Sequence, residues 1–420
     1  MGGAAARLRP PPVTTSRHPP LPLPRRGDSG VGCSDAARDI LESGLGPCAG
    51  DPLSASRLCV ALAELHAGRG EAPAARARGA EALARAAESG EDTPVRRRCA
   101  AQGLWWQHVG AVAAGDEGGA LTALQEGAPS LAGAFGSTHA GPAAALACGL
   151  RAHALLLAGD PEAARDETRA ATDAFAASGA PESLPAGRFG DLPAGTASLL
   201  GGLSALAGGV GAAGALLAAE ARGAAAALGR GPGPAGDAAP SPFALRAARA
   251  EAEFGLAQLA GMGRRWGEAE AHLEGALRAA EAAYEGNPAA TGLVLAATAT
   301  CYVHTGRFAL AEGLFRRGSE LLGVRADNFM LDPPGRVLGG ARSRPSAGAF
   351  VLARWADMLG MVQGRAHHGE RLRELAGELW GGAGAGAGAL EGALPRELPP
   401  RDAPPPSLAR VTEQRVVVAR

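Results

Sequence analysis

The sequence predicts an all-α fold, a solenoid of about six or seven helical hairpins with disordered N- and C-terminal tails. Composition is the first observation: the chain is rich in alanine, the strongest helix former, and only 4% of its residues are aromatic. The second is the helical spacing of its apolar residues. The third is a residue pattern that recurs at a fixed offset, as in arrays whose units bury their apolar sides on one another.

The recurring pattern is clearest between residues 241 and 324, where two segments align at an offset of 42 residues. The alignment sets Trp266 over Phe308, Ala269 over Ala311, Leu273 over Phe315 and Ala276 over Gly318. Small residues let two helices approach closely, and the larger residue between them fills the remaining space. The residues expected to pack within this pair of units are Trp266, Ala269, Leu273, Ala276, Tyr302, Phe308, Ala311 and Phe315.

These two units resemble tetratricopeptide repeats, whose signature has a small, a bulky apolar and a second small residue at these offsets. Their spacing of 42 residues exceeds the roughly 34 of the common form. Together with the turn at Gly286-Asn287-Pro288, this spacing is similar to the kinesin-light-chain type of the repeat. The resemblance implies a superhelix whose first helices line a concave groove suited to a peptide or a partner helix.

Earlier units follow from a turn glycine with a small residue five positions later, as Gly306 has Ala311. The matching pairs are Gly70 with Ala75, Gly115 with Ala120, and Gly159 with Ala164. They are spaced at 45 and 44 residues, close to the clear pair. Asp160-Pro161 adds an N-cap and a first-turn proline, so a helix is expected to begin there.

The chain divides into five predicted segments. They are a disordered leader at 1–51, an N-terminal array at 52–228, a Pro/Gly linker at 229–242, a C-terminal array at 243–380 with an insertion at 325–346, and a disordered tail at 381–420. A hairpin is expected at 199–228 with its turn near Gly208-Gly209, and a loop at 180–194. The segment 229–242 either separates two arrays or is a surface insertion. A last helical pair is expected at 347–362 and 367–380.

The leader carries five arginines and no acidic residue within residues 1–27. This composition fits a transit peptide for a mitochondrion or chloroplast, and its prolines fit an ordinary disordered leader of a cytoplasmic protein equally well. A membrane span is not expected, because the nearest candidate, Ala197 to Leu217, is interrupted by glycines. A net charge of -1 gives no reason to expect nucleic acid as a partner.

Catalytic, metal and cofactor sites are not expected either. The six cysteines contain no Cys-x-x-Cys pair, and the adjacent His367 and His368 point about 100° apart on a helix. Gly231 to Gly236 matches a dinucleotide-binding glycine pattern, but no strand precedes it and two prolines interrupt it. The sequence therefore predicts a protein that is not an enzyme.

The expected function is a non-catalytic scaffold that binds a protein or peptide in the groove. The alternatives are an organellar assembly factor for a membrane complex and a sensor or regulatory helical-repeat protein. Chaperone C-terminal tails are unlikely ligands because the chain contains no lysine for the clamp that such repeats use. Candidate partner contacts are Arg264, Arg265, Arg316 and Arg317, with a solvated helix face as the simpler interpretation. Trp105-Trp106 is either an exposed contact anchor or packing between units.

Overall fold

The computed structural model describes residues 29–114, 116–158, 160–177, 192–206, 210–229, 241–284, 288–341, 345–382, 408–409 and 416–417. In these residues the chain is all-α, with sixteen α-helices, as the sequence predicted. The strands Leu408–Ala409 and Val416–Val417 form one short antiparallel pair after the last helix.

The helices follow one another along the whole described chain. The first nine are α1 Ser29–Leu45, α2 Pro52–Gly68, α3 Ala72–Glu88, α4 Pro94–Ala114, α5 Glu117–Phe135, α6 Ala140–Leu157, α7 Pro161–Ala177, α8 Thr196–Leu206 and α9 Val210–Gly229. The remaining seven are α10 Pro242–Met262, α11 Trp266–Ala283, α12 Pro288–His304, α13 Phe308–Leu321, α14 Pro334–Val337, α15 Pro345–Gly360 and α16 Ala366–Gly382. A 3-10 turn, Ser137–His139, precedes α6.

Side-chain caps and first-turn prolines start several of these helices. The Asp51 carboxylate accepts hydrogen bonds from the backbone N–H groups of Leu53 and Ser54 at 3.1 and 3.2 Å, directly before Pro52. The Asp160 carboxylate accepts one from the Ala163 N–H at 3.0 Å, so the predicted helix start at Asp160-Pro161 is confirmed. Each cap satisfies backbone donors that have no partner inside the helix.

One kind of turn joins the two helices of several hairpins. Gly70, Gly306 and Gly364 all have a left-handed φ, of 75°, 77° and 79°. Arg264 takes the same place between α10 and α11 with φ 57°. After Gly70, Arg264 and Gly306 the next N–H bonds the carbonyl five residues earlier, as Arg307 does to Tyr302 at 2.8 Å, whereas after Gly364 the Arg365 N–H bonds the Val362 carbonyl three residues earlier at 3.1 Å. This is a helix C-cap that favours glycine, which explains the recurring glycine in the sequence.

Each helix packs on its neighbours along the chain. The strongest contacts join α2 to α3, α3 to α4, α6 to α7, α8 to α9, α9 to α10, α10 to α11, α12 to α13 and α15 to α16. Helices two places apart also touch, in the pairs α2 with α4, α4 with α6, α6 with α8 and α8 with α10, and α12 touches α15. Two large hydrophobic clusters result, one running from Ala63 to Leu203 and one from Ala247 to Leu379.

Glycine pairs bring some of these helices into backbone contact. A Cβ on Gly103 of α4 would lie 2.9 Å from the carbonyl oxygen of Gly79 on α3, and a Cβ on Gly318 of α13 would lie 2.8 Å from that of Gly292 on α12. Such distances leave no room for even a methyl group. Helix α4 is consequently buried on nearly every face, including Arg97 and Arg98.

The start of α10 returns to the beginning of the chain. The Ser241 hydroxyl donates to the Glu64 carboxylate of α2 at 2.6 Å. The Phe243 ring lies 6.3 Å from that of Trp106 on α4 and packs against both large clusters. Helix α10 also packs on α9. The two predicted arrays are therefore in direct contact, through α9 and through α2 and α4.

Several predicted boundaries can be compared with these elements. The two helices expected at 199–228 are confirmed by α8 and α9, with the predicted turn at Gly208-Gly209 outside the described residues, and the last pair is confirmed by α15 and α16. The leader prediction was wrong after residue 28, because Ser29–Leu45 is a helix whose Gly44 lies against Leu58 of α2. The insertion contains the short helix α14. Residues 1–28, most of the loop at 180–194, residues 230–240 and most of the tail lie outside the described residues.

Among the residues that the structure describes, one segment is long and apolar enough to cross a membrane by length and composition. It is Ser137–Leu157, which contains α6, and half of its most apolar window is buried inside the protein. It differs from Ala197 to Leu217, the nearest candidate by sequence pattern. Burial between α5 and α7 is the pattern of a core helix, which passes the same test.

Candidate functional site

The predicted repeat-packing residues lie between α10, α11, α12 and α13. Ala269, Leu273, Ala276, Ala311 and Phe315 are buried, with at most 3% of each side chain exposed. The remaining three, Trp266, Tyr302 and Phe308, are half-buried and pack against the same cluster.

Tyr302 belongs to a charged contact between two successive hairpins. The Arg307 guanidinium forms two hydrogen bonds with the Glu270 carboxylate, at 3.0 and 2.7 Å, and lies 3.8 Å above the Tyr302 ring. The hydrogen bond from Arg307 holds the pKa of Glu270 below its usual value. Arg365 donates a single hydrogen bond to Glu312 at 2.6 Å, and Glu312 lies 42 residues after Glu270. The second helices α11 and α13 therefore each present a glutamate to an arginine of the next hairpin, which was not predicted from the sequence.

A small cavity lies where the first helices of three hairpins converge. It has a volume of about 50 Å³ and opens to solvent. Helices α10, α11, α12 and α15 supply its walls, which are mostly apolar: Phe254, Ala257, Gly261, Trp266, Ala269, Leu273, Ala297, Cys301 and Phe350. Gln258, Thr300 and Arg354 complete the lining. We call this space the α10–α12–α15 cavity.

Several side chains around the cavity are held in place by their neighbours. The Trp266 ring stacks on that of His304, with centroids 4.2 Å apart and the ring planes 7° from parallel. The Thr300 hydroxyl donates to the Ala296 carbonyl one turn earlier on α12. Burial raises the pKa of the Cys301 thiol to about 11, so the thiol stays protonated and unreactive at neutral pH.

Arg354 is the charged group of the cavity. It is 3% exposed, and its guanidinium carbon lies 5.6 Å from the centre of the Phe350 ring. Its nearest carboxylate, Asp357, is 3.6 Å away, too far for a hydrogen bond, while Arg373 bonds the same carboxylate at 2.7 Å. Burial lowers the pKa of Arg354 and raises that of Asp357. In the sequence, Arg354 stands inside the apolar run of α15, and this position could have indicated a buried arginine.

A second, smaller cavity of about 20 Å³ lies where α10 meets α2 and α4. Its lining includes Glu64, Gln102, Trp106 and Glu251. Burial raises the pKa of Glu64 to about 7, although the hydrogen bond from Ser241 acts in the opposite direction. This volume suits a single water molecule, so the cavity is better understood as part of the closure between α2 and α10 than as a ligand site.

Both tryptophans of the pair Trp105-Trp106 are buried, at 4% and 5% exposure. The interpretation as an exposed anchor was wrong, and packing between units accounts for the pair. Trp105 lies against Gly195 before α8, and Trp106 lies near Phe243 of α10. Adjacent indoles can both be buried here because α4 has neighbours on nearly every side.

The four candidate arginines lie on the protein surface, at two separate elements. Arg264 and Arg265 are exposed at the turn before α11, and Arg316 and Arg317 are exposed on α13. Arg265 pairs with Glu268 at 2.7 Å, and Arg317 pairs with Glu320 at 3.1 Å. Short-range pairs of this kind are common on solvated helices.

No constellation for metal or nucleophilic chemistry appears in the described part of the chain. Groups of three or more His, Cys, Asp or Glu side chains that could hold a metal ion are absent from those residues. Cys48, Cys59, Cys99, Cys148 and Cys301 are free thiols. The buried His108 and His153 rings contact each other, with Nε2 and Nδ1 3.0 Å apart between α4 and α6.

Comparison with protein-family models finds no match to this chain, and comparison with curated proteins finds none either.

Proposed function

We propose that the chain is a helical-repeat scaffold of the tetratricopeptide kind, built from seven hairpins, that binds a peptide or helix along its concave face. The observation that carries this proposal is the α10–α12–α15 cavity, a solvent-open apolar space between the first helices of three successive hairpins. Apolar concave sites with few polar groups are the usual form of a binding site.

The pairing of helices supports the hairpin count. The hairpins are α2 with α3, α4 with α5, α6 with α7, α8 with α9, α10 with α11, α12 with α13 and α15 with α16. The first helices of neighbouring hairpins touch in most cases, as they do around the concave side of a stacked array. The left-handed turn residues Gly70, Arg264, Gly306 and Gly364 recur at the same place in four of the hairpins.

A photo-crosslinking experiment tests the groove directly. A crosslinking amino acid at Thr300 faces the cavity, and one at Thr298 provides a matched control on the same helix. Both threonines are half-buried and both donate to the carbonyl four residues earlier, at 3.0 and 2.9 Å. Peptides selected from a random library against the full chain should crosslink at Thr300 and much less at Thr298.

A blocking substitution supplies the second readout. Thr300→Phe should fill the cavity mouth and reduce the affinity of the selected peptides about tenfold, because it takes up the apolar space that a peptide side chain needs. Thr298→Phe should leave that affinity unchanged. Peptides that bind equally to both variants would bind elsewhere, and the scaffold proposal would lose its groove.

A further inference from the structure

The charge balance around the α10–α12–α15 cavity is uneven. Arg354 lines the cavity and shares one carboxylate, that of Asp357, with Arg373, so this group of three carries one formal positive charge beside the cavity. The hydrogen bond to Asp357 comes from Arg373, which is 43% exposed at its side chain, and not from buried Arg354. The cavity lining includes no carboxylate that could balance Arg354 from the open side.

Arg354 therefore carries a large desolvation cost that Asp357 offsets only in part. A buried guanidinium ordinarily donates several hydrogen bonds, and leaving these donors unused is costly. The described structure gives Arg354 an ion pair at 3.6 Å and an aromatic contact at 5.6 Å, and neither is a hydrogen bond. Because this donor group lines a cavity that opens to solvent, its acceptors come from water or from a ligand that displaces the water.

The surrounding walls restrict the chemistry of that acceptor. Phe254, Trp266, Leu273 and Phe350 present aromatic and aliphatic surface beside the guanidinium. An inorganic anion would leave this surface in contact with water. A carboxylate on a short apolar body would match both the guanidinium and the apolar walls. Its charged end can accept two parallel hydrogen bonds from a guanidinium, and its apolar end can contact the aromatic and aliphatic side chains.

We propose that the α10–α12–α15 cavity binds a small monocarboxylic acid with an apolar body, its carboxylate on Arg354 and its hydrocarbon part against Phe254 and Phe350. One negative charge on the ligand balances the one excess positive charge of Arg354, Asp357 and Arg373 taken together. The volume of about 50 Å³ holds only a few heavy atoms, so the ligand is short or extends from the mouth into the groove. This inference rests on the proposed function, because the acid would occupy the same cavity that a peptide side chain enters, and the two are distinguished by their probes.

Binding would affect three hairpins together. The cavity lining comes from α10, α11, α12 and α15, so an occupant contacts the first helices of three hairpins. A ligand that prefers one spacing of these helices shifts the population toward that spacing. If the chain acts as a sensor, a small carboxylic acid is therefore the ligand that it would detect.

Ligand-observed NMR with hexanoate and hexanamide tests the proposal on the full chain. The two probes share their apolar body and differ in charge. Hexanoate should bind with millimolar affinity, at least about tenfold more tightly than hexanamide. In Arg354→Met this preference should disappear, and Thr300→Phe should weaken both probes. Arg316→Met, on the exposed face of α13, provides the control and should bind as the unmodified chain does.

Three outcomes would overturn the proposal. They are equal binding of the acid and the amide, unchanged hexanoate binding in Arg354→Met, and loss of binding in Arg316→Met to the same extent as in Arg354→Met. Arg354→Lys distinguishes loss of the binding site from a folding defect. Lysine keeps the positive charge but cannot form two parallel hydrogen bonds with the ligand carboxylate. A folded Lys variant should retain weakened binding with a remaining preference for the acid. Peptide crosslinking at Thr300 is scored separately, so failure here leaves the scaffold proposal intact.

Discussion

Ser241 and Glu64 are 177 residues apart in the chain and share a hydrogen bond of 2.6 Å. The bond joins the first residue before α10 to the middle of α2, and Phe243 packs beside it on Trp106. In an open array, a hairpin contacts only its neighbours. Here the start of α10 also contacts α2 and α4, and a buried carboxyl group, that of Glu64, lies at this contact.

Glu64 makes the stability of this closure depend on pH. Its pKa is about 7 in the folded protein against an ordinary 4.5, because burial disfavours the charged form. A raised carboxyl pKa gives a stabilising contribution that is complete below about pH 4.5 and is lost as the pH rises through 7. Glu64→Gln stays neutral throughout and should become the more stable protein at pH 8, by up to about 3 kcal/mol.

Urea unfolding at several pH values measures this difference. The two proteins should have similar stability near pH 4.5 and diverge between that value and pH 7 to 8. Glu162→Gln is a suitable control because Glu162 is exposed on α7. A constant difference between the Glu64→Gln variant and the unmodified chain across this range would contradict the assigned pKa.

The turn before α11 contains the one described residue other than glycine with a positive φ, Arg264. Arg264→Gly should stabilise the protein by about 1 kcal/mol, since a residue with a Cβ is strained in this conformation. Gly306→Ala places a Cβ at the matching turn, where nothing lies within 4 Å, and should destabilise by a similar amount through backbone strain alone. Thermal or urea unfolding measures both. Changes of the same sign in the two variants would argue against equivalent turns.

Two glycines on α13 should respond in opposite ways to alanine. A Cβ on Gly318 would meet the Gly292 carbonyl oxygen at 2.8 Å, so Gly318→Ala should force α12 and α13 apart and cost about 2 kcal/mol. A Cβ on Gly313 meets nothing within 4 Å, so Gly313→Ala should stabilise by about 0.5–1 kcal/mol through helix propensity. Equal effects in denaturant unfolding would mean that the two helices are not in backbone contact.

Asp357 and Arg354 form a buried ion pair on α15, and replacing one or the other should change the stability of the protein by different amounts. Asp357→Asn leaves buried Arg354 with no anion and should destabilise by about 3 kcal/mol. Arg354→Met leaves Asp357 with its bond to Arg373 and should change stability by no more than about 1 kcal/mol, or increase it. Urea unfolding compares them. A larger loss in Arg354→Met would show that Arg354 is well satisfied without a ligand.

The arginine-rich leader predicts a location for the protein that imaging can test. A tagged full chain should enter a mitochondrion or chloroplast, and the same chain without residues 1–27 should remain in the cytoplasm. The control replaces Arg7, Arg9, Arg17, Arg25 and Arg26 with glutamine at unchanged length and should also stay outside. Diffuse cytoplasmic signal from the full chain would favour the ordinary leader.

The sequence by itself determined the class of the fold and the boundaries of many helices. Alanine content and helical spacing depend on local backbone energetics, so the helices at 199–228 and after 345 could be predicted. The start at Asp160 was predictable for the same reason, because a cap acts within one turn of its own residue. The 42-residue offset identified the equivalent positions in the two clearest hairpins.

Only the tertiary structure decided which side chains meet. The bond between Ser241 and Glu64, the burial of both Trp105 and Trp106, and the position of Arg354 beside a cavity depend on how helices distant in the chain pack on one another. Such packing is the sum of many contacts between helices, and no single stretch of residues encodes it. The residues of the proposed ligand site can each be read from the sequence. That they lie close together in space could not be predicted from it.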